Sequence, residues 1–235
     1  MDGNGRWAKA KGLIRSAGHK KGSSIVKSII RKADALSIKA LSLYCFSNEN
    51  WNRPQQEISL LMELLENYLK SETPELVENN VKLIVSGRYD EIPKQTLSVL
   101  ENSIDKTKRN TGLILNFCLG YGGQQEIVRA TKLIAQKVVS GALDVNDISK
   151  QTINEHLYTG ELPNLDLVIR TSGEQRLSNF LTFQSAYAEL IFLNKMWPDF
   201  SANDLEKSCL EFQKRQRRFG KTSQQIEQKI VEAKF

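Results

Sequence analysis

Helical and extended segments alternate along most of the chain, and this alternation restricts its fold more than any other feature. Ile25, Ile29, Ile30 and Ala33 recur at helical spacing, and the apolar segment 39–46 that follows them is typical of a buried strand. The same order, a helix and then a strand, continues down the chain. Amphipathic helices joined to buried strands by short connections predict right-handed crossovers. The predicted fold class is therefore α/β, with a mainly parallel sheet covered by helices on both faces.

The other predicted elements follow the same alternation. Helices are expected at 55–68, 93–108 and 125–139, and strands at 81–86, 113–119, 165–169 and 190–193. No internal repeat, low-complexity linker or Pro- or Gly-rich hinge divides the sequence, so one domain covering residues 1–235 is expected. The last stretch, 215–235, is rich in Lys, Arg, Gln and Glu and predicts a surface helix or tail.

Composition argues against several classes of protein. No apolar run approaches the roughly 20 residues that span a bilayer, and Met1 leads directly into charged and glycine-rich sequence, so a soluble cytoplasmic protein is expected. Cys45, Cys118 and Cys209 show neither zinc-site nor disulfide spacing and are predicted to be small core residues. The two histidines are too few for a His-built metal site. The net charge of +6 is compatible with nucleic acid, a membrane surface or a small anion.

Polar and aromatic side chains follow the predicted strand 39–46. In parallel α/β sheets, ligands bind outside the carboxyl ends of the strands, so these residues are candidates for a site. The segment 47–54 supplies a hydroxyl, amides, a carboxylate, an indole and a guanidinium. Taken alone, these residues are equally compatible with a structural role, since Ser47 or Asn50 could cap the next helix and Trp51 could pack against the core.

Two arginines follow the predicted strand 165–169. Arg170 and Arg176 bracket a turn of small residues that includes Ser172, and Ser178 follows two residues after Arg176. A guanidinium fork matches phosphate oxygens, and serine hydroxyls and exposed backbone N–H groups complete an anion cradle. Because this cluster also follows a strand, it favours a phosphate ligand.

A third cluster lies at the amino terminus, where acidic, amide and basic side chains occur among glycines. Its members are Asp2, Asn4, Arg6 and Trp7, followed by Arg15 and His19. Glycines allow a ligand to approach the backbone closely, and a helix amino end favours anions. A Mg²⁺ ion that bridges a carboxylate to diphosphate oxygens would explain an acid beside so much basic charge, and Asp2 with Glu189 would suffice for it. Glu189 is also compatible with a surface salt bridge, and His19 with local packing.

Four segments in this order resemble the cis-prenyltransferase family, and most closely its bacterial undecaprenyl diphosphate synthases. They are Met1-Asp2-Gly3-Asn4-Gly5-Arg6-Trp7-Ala8, Phe46-Ser47-Asn48-Glu49-Asn50-Trp51-Asn52-Arg53-Pro54, Asp166-Leu167-Val168-Ile169-Arg170-Thr171-Ser172-Gly173-Glu174 and Arg176-Leu177-Ser178-Asn179-Phe180-Leu181. The shorter runs 197–200 and 217–220 agree as well. The resemblance covers nearly the whole chain.

This resemblance implies a homodimeric, Mg²⁺-dependent enzyme whose α/β sheet encloses a hydrophobic tunnel. It implies condensation of isopentenyl diphosphate onto farnesyl diphosphate in cis geometry. The expected product is undecaprenyl (C55) diphosphate, the precursor of the lipid carrier for cell-wall polysaccharides. Delivery of such a lipid implies peripheral contact with the inner face of the membrane, and no nucleic-acid partner is implied.

The resemblance also assigns roles to matching positions. The allylic diphosphate would be held by Gly3, Asn4, Gly5, Arg6, Arg15 and His19, with Trp7 and Trp51 lining its site. Isopentenyl diphosphate would be held by Arg170, Arg176, Leu177 and Ser178. Asp2 and Glu189 would bind Mg²⁺. Asp2 and Asn50 would be catalytic, and Asn50 would assist removal of the proton. The site around them would be shaped by Ser47, Asn48, Glu49 and Arg53. Arg218 and Gly220 match an R-x-G element that reaches the partner subunit's site.

The sequence departs from the family at a few positions. Asn48 replaces a usual threonine, Cys45 an alanine, the pair 182–183 a common Leu-Trp, and Ala188 a serine. The family also places a hydrophobic strand directly before the residue that matches Met1, and the sequence does not contain it. The difference is compatible with a longer gene product or with an impaired variant, and it predicts an unpaired sheet edge and a frayed Asp2.

Three alternative functions remain open at this point. A noncatalytic partner subunit of a prenyltransferase would keep the fold but is expected to lose charged site residues, and Asp2, Arg6, Asn50, Arg170 and Arg176 are all present. A nucleic-acid-binding module is suggested only by the basic pI of about 9.1, and 27 acidic residues oppose the basic ones. A cis-prenyl diphosphate synthase with a shorter product differs only in the depth of the tunnel.

Overall fold

The computed structural model describes residues 1–215, so Arg218, Gly220 and nearly all of the predicted tail lie outside the described part of the chain. The helices are α1 (Asn4–Ala10), α2 (Arg15–Ser24), α3 (Val26–Ala35), α4 (Gln55–Glu78), α5 (Lys94–Thr107), α6 (Gly123–Val139), α7 (Lys150–His156) and α8 (Ala202–Lys214). The strands are β1 (Ala40–Ser47), β2 (Lys82–Ser86), β3 (Ile114–Tyr121), β4 (Leu167–Arg170) and β5 (Glu189–Phe192).

These five strands form two parallel sheets. β3 lies between β1 and β2, with Phe117 opposite both Leu43 and Val85, and β4 pairs with β5, where Arg170 lies opposite Phe192. The predicted fold class, α/β with a mainly parallel sheet flanked by helices, is confirmed. The strands are nevertheless divided between a three-stranded and a two-stranded sheet, whereas the sequence predicted one.

Apolar side chains cover both faces of β3. Phe117 and Leu119 belong to a large cluster that includes residues of α3, α4 and α5, whereas Cys118 and Tyr121 pack with Leu181 in a smaller one. Each fully buried Leu or Phe stabilises the fold by about 1.5–3 kcal/mol relative to an exposed one. Helices and loops therefore cover both faces of the sheet. The loops that carry polar residues lie at the carboxyl ends of its strands.

The predicted elements agree with the observed ones where a buried face repeats regularly. The helix predicted at 55–68 extends to Glu78, because Leu69, Thr73 and Leu76 continue its buried face and Pro74 does not end it. The helices α1, α2, α7 and α8 were not among the predicted elements. α2 has no apolar stripe, and its buried residues are Gly18, His19 and Gly22.

Backbone contact explains why α2 forms without an apolar stripe. A Cβ added at Gly18 would lie 1.9 Å from the main-chain oxygen of Asn4, and one added at Gly22 would lie 2.0 Å from Asn4 Oδ1. α1 and α2 therefore approach each other more closely than helices with larger side chains could. This close packing brings Arg6 and Arg15, which belong to different helices, into one region of the molecule.

Hydrogen bonds hold the backbone of Asp2 firmly. Its oxygen accepts from Thr171 Oγ1 (2.9 Å), Ser172 Oγ (2.8 Å) and the Trp197 backbone N–H (2.9 Å), and its N–H donates to Thr171 Oγ1 (3.1 Å). The expectation of a frayed Asp2 is therefore wrong. Side chains of the loop after β4 thus satisfy the polar backbone groups of Asp2.

Within residues 1–215, no helix is both long and apolar enough to cross a membrane. The three cysteines are unbonded, with Cys118 buried and Cys45 and Cys209 partly buried. Burial raises the pKa of the Cys45 thiol to about 12, so this side chain stays neutral. The prediction that the cysteines act as small core residues is confirmed for Cys118, and the other two pack at the edge of the larger cluster.

Candidate active site

The loop after β4 and the amino-terminal segment meet at the carboxyl end of β4. Arg170, the last residue of that strand, reaches both of them: its Nη2 donates to Asp2 Oδ2 (3.1 Å), and its Nη1 donates to Ser178 Oγ (2.8 Å) and to the Arg176 carbonyl. Only a planar fork with several donors can serve all three acceptors at once. The structure thus brings together Asp2, Arg170 and Ser178, which the sequence placed in separate clusters.

Backbone conformation in this loop is unusual. Ser172 (φ 77°), Ser178 (φ 48°) and Asn179 (φ 64°) all have positive φ although none is glycine. Such residues cost on the order of 1–3 kcal/mol each and persist where surrounding bonds determine them. Here the bonds of Ser172 to Asp2 and of Ser178 to Arg170 provide that support. Leu177 is half-buried at the turn and its carbonyl accepts from the Phe180 N–H (3.2 Å).

Glu174 joins the two exposed arginines of the site. Its Oε1 lies 2.8 Å from Arg6 Nη1, and its Oε2 forms an ion pair with Arg176 Nη1 at 2.5 Å. Arg6 belongs to α1 and Arg176 to the loop after β4, so this carboxylate links residues of the two predicted diphosphate sites. Sequence reasoning placed Glu174 only inside a matching segment and gave it no role, because nothing local indicates that two distant cations share it.

Asp2 is an ionised carboxylate under ordinary conditions. Burial raises its pKa, but the hydrogen bond from Arg170 and the positive charge of Arg6, 3.4 Å away, outweigh burial and hold the pKa below its usual value of 3.8. Its side chain remains 37% exposed. An ionised, accessible carboxylate among phosphate-binding groups has the chemistry that Mg²⁺ requires, since this ion commonly uses one or two carboxylates plus phosphate oxygens and water. Asp2 therefore fits the predicted metal role.

Glu189 is the second predicted metal ligand, and it has a basic partner of its own. It begins β5 opposite Leu167, three residues before Arg170, which corresponds to about 10 Å along a strand. Its carboxylate forms an ion pair with Arg215 (3.0 Å). Within the described residues, no group of three or more His, Cys, Asp or Glu side chains could hold a metal ion. Asp2 and Glu189 therefore pair with different arginines in this structure, and a metal site shared by the two carboxylates stays a prediction.

The glycines before and in α1 allow close contacts with neighbouring segments. Gly3 has φ 102°, and a Cβ there would lie 1.9 Å from Ser172 Oγ, while a Cβ at Gly5 would lie 3.0 Å from the Arg15 guanidinium. Both positions belong to the predicted allylic site. The tight fit shows that these glycines already accommodate protein side chains, which fix the segment against the loop after β4 and against α2.

Asn4 and Trp7 make structural contacts in this conformation. Asn4 Nδ2 donates to the Met1 carbonyl (3.2 Å), while its buried Oδ1 has no hydrogen-bond partner in the described part of the chain. Trp7 Nε1 donates to Asp199 Oδ1 (2.8 Å), and Lys11 Nζ lies 4.9 Å from the centre of the Trp7 ring. These contacts explain why α1 keeps one position on α2 and the segment 197–199.

Three basic side chains of the predicted site converge on Glu57, near the start of α4. Glu57 Oε2 lies 3.0 Å from Arg15 Nε, and Glu57 Oε1 lies 2.8 Å from Arg53 Nη1 and 3.4 Å from His19 Nε2. Sequence analysis assigned Arg15, His19 and Arg53 but missed Glu57. The helical spacing of Arg53 and Glu57, four residues apart, was the only local signal for it.

A short 3₁₀ turn after β1, from Asn48 to Asn52, presents the remaining predicted residues. Asn50 Oδ1 accepts from the Ser47 N–H (3.1 Å) in a reciprocal cap of this 3₁₀ turn. Neither residue caps α4, which begins after Pro54 without a side-chain cap. Glu49 accepts from Asn179 Nδ2 (2.9 Å), which ties this turn to the loop after β4. The Trp51 ring packs edge-on against Phe46, with 4.6 Å between ring centres.

Comparisons with known proteins agree with the order of these motifs. The family model for undecaprenyl diphosphate synthases matches residues 1–220. An isoprenyl transferase of Shouchella clausii is 50% identical over 220 residues, covering 94% of this chain and 86% of its own. The farnesyl-diphosphate-specific ditrans,polycis-undecaprenyl-diphosphate synthase of Micrococcus luteus is 47% identical, covering 94% and 88% of the two chains.

The fold also agrees with that of a solved structure. Lavandulyl diphosphate synthase from Lavandula x intermedia, in complex with dimethylallyl diphosphate, superposes with a TM-score of 0.91 at 34% identity. The match covers 94% of this chain and 95% of the plant protein. The chain therefore belongs to the undecaprenyl diphosphate synthase family of prenyltransferases.

Proposed function

We propose that this protein condenses isopentenyl diphosphate onto farnesyl diphosphate in cis geometry and produces a long-chain polyprenyl diphosphate, of undecaprenyl length. The observation that carries the proposal is the position of Arg170, whose guanidinium joins Asp2 on one side to Ser178 on the other. Two further arginines, Arg6 and Arg176, flank this centre and remain exposed to a ligand. Two arginine clusters on either side of one carboxylate suit two diphosphate groups.

The reaction requires the allylic diphosphate to leave as the new carbon–carbon bond forms. Negative charge grows on the leaving group, and donors that are already oriented stabilise it without reorganisation. Arg6, Arg15, Arg53 and His19 are the candidates for this task, and Arg170, Arg176 and Ser178 would orient isopentenyl diphosphate. Fixing two substrates in line can contribute about 7–11 kcal/mol to lowering a bimolecular barrier.

Asn50 has a positioning role in this proposal. A neutral amide is a poor base, so Asn50 would orient the substrate while its Oδ1 keeps the turn closed on Ser47. With both substrates saturating, the variant Asn50→Ala is expected to lose most of its turnover rate. Asn52→Ala, at an exposed position of the same turn, serves as the control. Near-full turnover of Asn50→Ala would contradict the role.

Mg²⁺ is proposed as the cofactor, held by Asp2 together with diphosphate oxygens. The ion would neutralise charge on the leaving diphosphate. Glu189 would share the ion with Asp2, and its carboxylate would then exchange its ion pair with Arg215 (3.0 Å) for the metal. The ionised, partly exposed state of Asp2 supports its part in this proposal.

The protein is proposed to act as a homodimer in the cytoplasm, peripheral to the inner face of the membrane, and to supply the lipid carrier for cell-wall synthesis. Exposed apolar residues on α6 support a second copy as the partner: Val128 and Val139 are 54% and 89% exposed. They lie eleven residues apart, which places them about 20° apart around the helix. Arg218 and Gly220, proposed to reach the partner's site, lie outside the described residues.

The proposed hydrophobic tunnel would run along α4. Leu61, Leu65 and Tyr68 on this helix and Cys45 on β1 are partly buried and pack against the larger core cluster. A polyprenyl chain held between these elements would grow away from the diphosphate sites. The side chains at these positions would set the product length, and the choice between an undecaprenyl and a shorter product depends on them.

One assay tests the proposal directly. The protein is incubated with farnesyl diphosphate, labelled isopentenyl diphosphate and Mg²⁺, and the lipid product is sized. Incorporation into a product of about C55 is expected, and a Asp2→Asn variant should be strongly impaired. A short product would identify the shorter-chain alternative, and no incorporation would identify a noncatalytic subunit.

A further inference from the structure

Glu57 is the centre of the basic cluster at the proposed allylic site. It touches side chains from two separate parts of the chain: Arg15 (3.0 Å) and His19 (3.4 Å) on α2, and Arg53 (2.8 Å) at the end of the turn that follows β1. Its carboxylate is only 13% exposed. No feature of the family resemblance or of the proposed reaction gives this residue a role.

The carboxylate is ionised when it makes these contacts. Burial raises the pKa of Glu57, but the hydrogen bond from Arg15 and the charges of Arg53, Arg15 and His19 outweigh burial and hold the pKa below its usual value of 4.5. An ionised acid among basic groups forms charge-assisted hydrogen bonds, which are about twice as strong as neutral ones. Glu57 can therefore keep both guanidinium groups in fixed positions.

Arg15 and Arg53 each bond to Glu57 through one nitrogen, so their other N–H groups can donate to a ligand. Arg15 bonds through Nε and Arg53 through Nη1. Among residues 1–215, no other hydrogen bond or ion pair is found for either guanidinium, so the remaining N–H groups of both are available. His19 is 9% exposed, and its buried Nε2 lies 3.4 Å from Glu57 Oε1, close enough for an ion pair but too long for a good hydrogen bond, so it can still donate to a ligand.

The charge balance of this cluster also suits an anion. Two arginines and one carboxylate leave one net positive charge, and protonation of His19 would add a second. Burial lowers the pKa of His19, Glu57 raises it, and Arg53 and Arg15 lower it further, with a net decrease from the usual 6.5. A diphosphate beside these groups would supply the missing negative charge and favour the protonated imidazole.

We propose that Glu57 is a positioning residue that holds Arg15, Arg53 and His19 together as a cradle for the allylic diphosphate. The inference rests on the proposed function, because it assigns this diphosphate to that site. Without the carboxylate, the two guanidinium groups would repel each other and adopt many side-chain conformations. Binding would then require ordering two long side chains, and the lost side-chain entropy would weaken it.

The variant Glu57→Gln tests the inference by kinetics. The KM for farnesyl diphosphate is expected to rise about tenfold, the order of effect of one lost charge-assisted bond. The KM for isopentenyl diphosphate and the thermal midpoint are expected to stay close to their original values. Glu63→Gln, an exposed glutamate on the same helix, is the matched control and should change none of them. Glu57→Asp, which keeps the charge, should recover part of the affinity.

Two kinetic outcomes would overturn the inference. A lower KM for farnesyl diphosphate in Glu57→Gln would mean that the carboxylate only repels the ligand. Equal increases in both KM values together with a lower thermal midpoint would mean that Glu57 acts through general stability.

A second readout does not depend on turnover. The chain has two histidines, His19 and His156, so a His156→Gln variant identifies the imidazole signal of His19 by NMR. Titration with inorganic diphosphate should move this signal and raise the pKa of His19, and Glu57→Gln should weaken that response at least severalfold. If the protein makes no lipid product but this Glu57-dependent response remains, the proposed function fails and the anion cradle stands. If diphosphate leaves the signal unmoved, the cradle itself is refuted.

Discussion

Three carboxylates of the candidate site each lie between two arginines. Asp2 contacts Arg6 and Arg170, Glu174 contacts Arg6 and Arg176, and Glu57 contacts Arg15 and Arg53. Guanidinium groups close to one another repel unless an acid lies between them. At the scale of single residues, the site is therefore a set of arginines spaced by acids, and a diphosphate can bind the donors that the acids leave unused.

Replacing Arg170 with lysine should reveal how much of this arrangement depends on the planar fork. A lysine ammonium carries the same charge but cannot reach Asp2, Ser178 and the Arg176 carbonyl together. The KM for isopentenyl diphosphate is expected to rise by about tenfold or more. Steady-state kinetics with the concentration of isopentenyl diphosphate varied will measure this KM. The control is Arg109→Lys, at an exposed position in the turn after α5. An unchanged KM would mean that charge alone is sufficient.

The sequence predicts the residues of the site better than their partners. Asp2, Arg170 and Ser178 were recognised from their place after predicted strands or among glycines, and the structure brings them within hydrogen-bonding distance. Glu57 and Glu174 were missed as functional candidates. Their roles depend on cations that are distant in the sequence, such as Arg15 and Arg6, and periodicity in one segment carries no information about such pairs.

At the scale of elements, the contact between α1 and α2 decides whether the amino-terminal residues reach the site. Gly18→Ala tests it. Alanine favours a helix by about 1 kcal/mol over glycine, but its Cβ would lie 1.9 Å from the Asn4 carbonyl and would force the helices apart. A net destabilisation of about 1–3 kcal/mol and weaker binding of farnesyl diphosphate are expected.

Urea unfolding of the Gly18→Ala variant measures the destabilisation, and a fluorescence titration measures the affinity. Lys20→Ala, exposed on the same helix, is the control and should leave both near the original values. If Gly18→Ala is as stable as the original protein, the close approach of the two helices is not required.

The cap of α8 gives a pH-dependent contribution to stability. Burial raises the pKa of Asp204, but bonds from Lys195 Nζ (2.8 Å) and Ser201 Oγ (2.6 Å) outweigh burial and hold the pKa below its usual 3.8. A carboxyl whose pKa is lower in the folded state stabilises the fold above the unfolded pKa, and this stabilisation is lost as the pH falls through the folded value.

The variant Asp204→Asn should therefore be less stable than the original protein at pH 7, by about 0.5–2 kcal/mol for a lost cap. The difference should shrink as the pH falls below about 3.8. Chemical denaturation at a series of pH values measures it. A difference that is the same at pH 7 and at pH 3 would show that the charge of Asp204 plays no part.

Elements with a buried apolar face were predicted well, and those without one were not. α3 and β1 repeat apolar residues at clear periods, so their predicted bounds differ little from those observed. α2 depends instead on two glycines that allow contact with Asn4, and a glycine in a sequence indicates flexibility as readily as contact. The division of the strands into two sheets also depends on tertiary packing, which no single segment encodes.

At the scale of the whole molecule, assembly can be tested through α6. Val139→Lys places a charge on the exposed apolar side that we propose to face a second copy. If the homodimer forms there, the mass measured by light scattering should fall from twice the 26.7 kDa of the chain toward the mass of one chain. Asn102→Lys, exposed on α5, should not change it. An unchanged mass would place the contact elsewhere.

The bonds that fix Asp2 have a consequence for how the molecule acquires activity during folding. The partner of its N–H is Thr171, which is 169 residues away in the sequence. Contacts between such distant residues require closing a long loop, and that entropy must be lost before the bonds form. Most helices and the β1–β3–β2 sheet can form without this closure. A refolding chain should therefore regain its helical signal before the two ends of the site meet, and catalysis should return last.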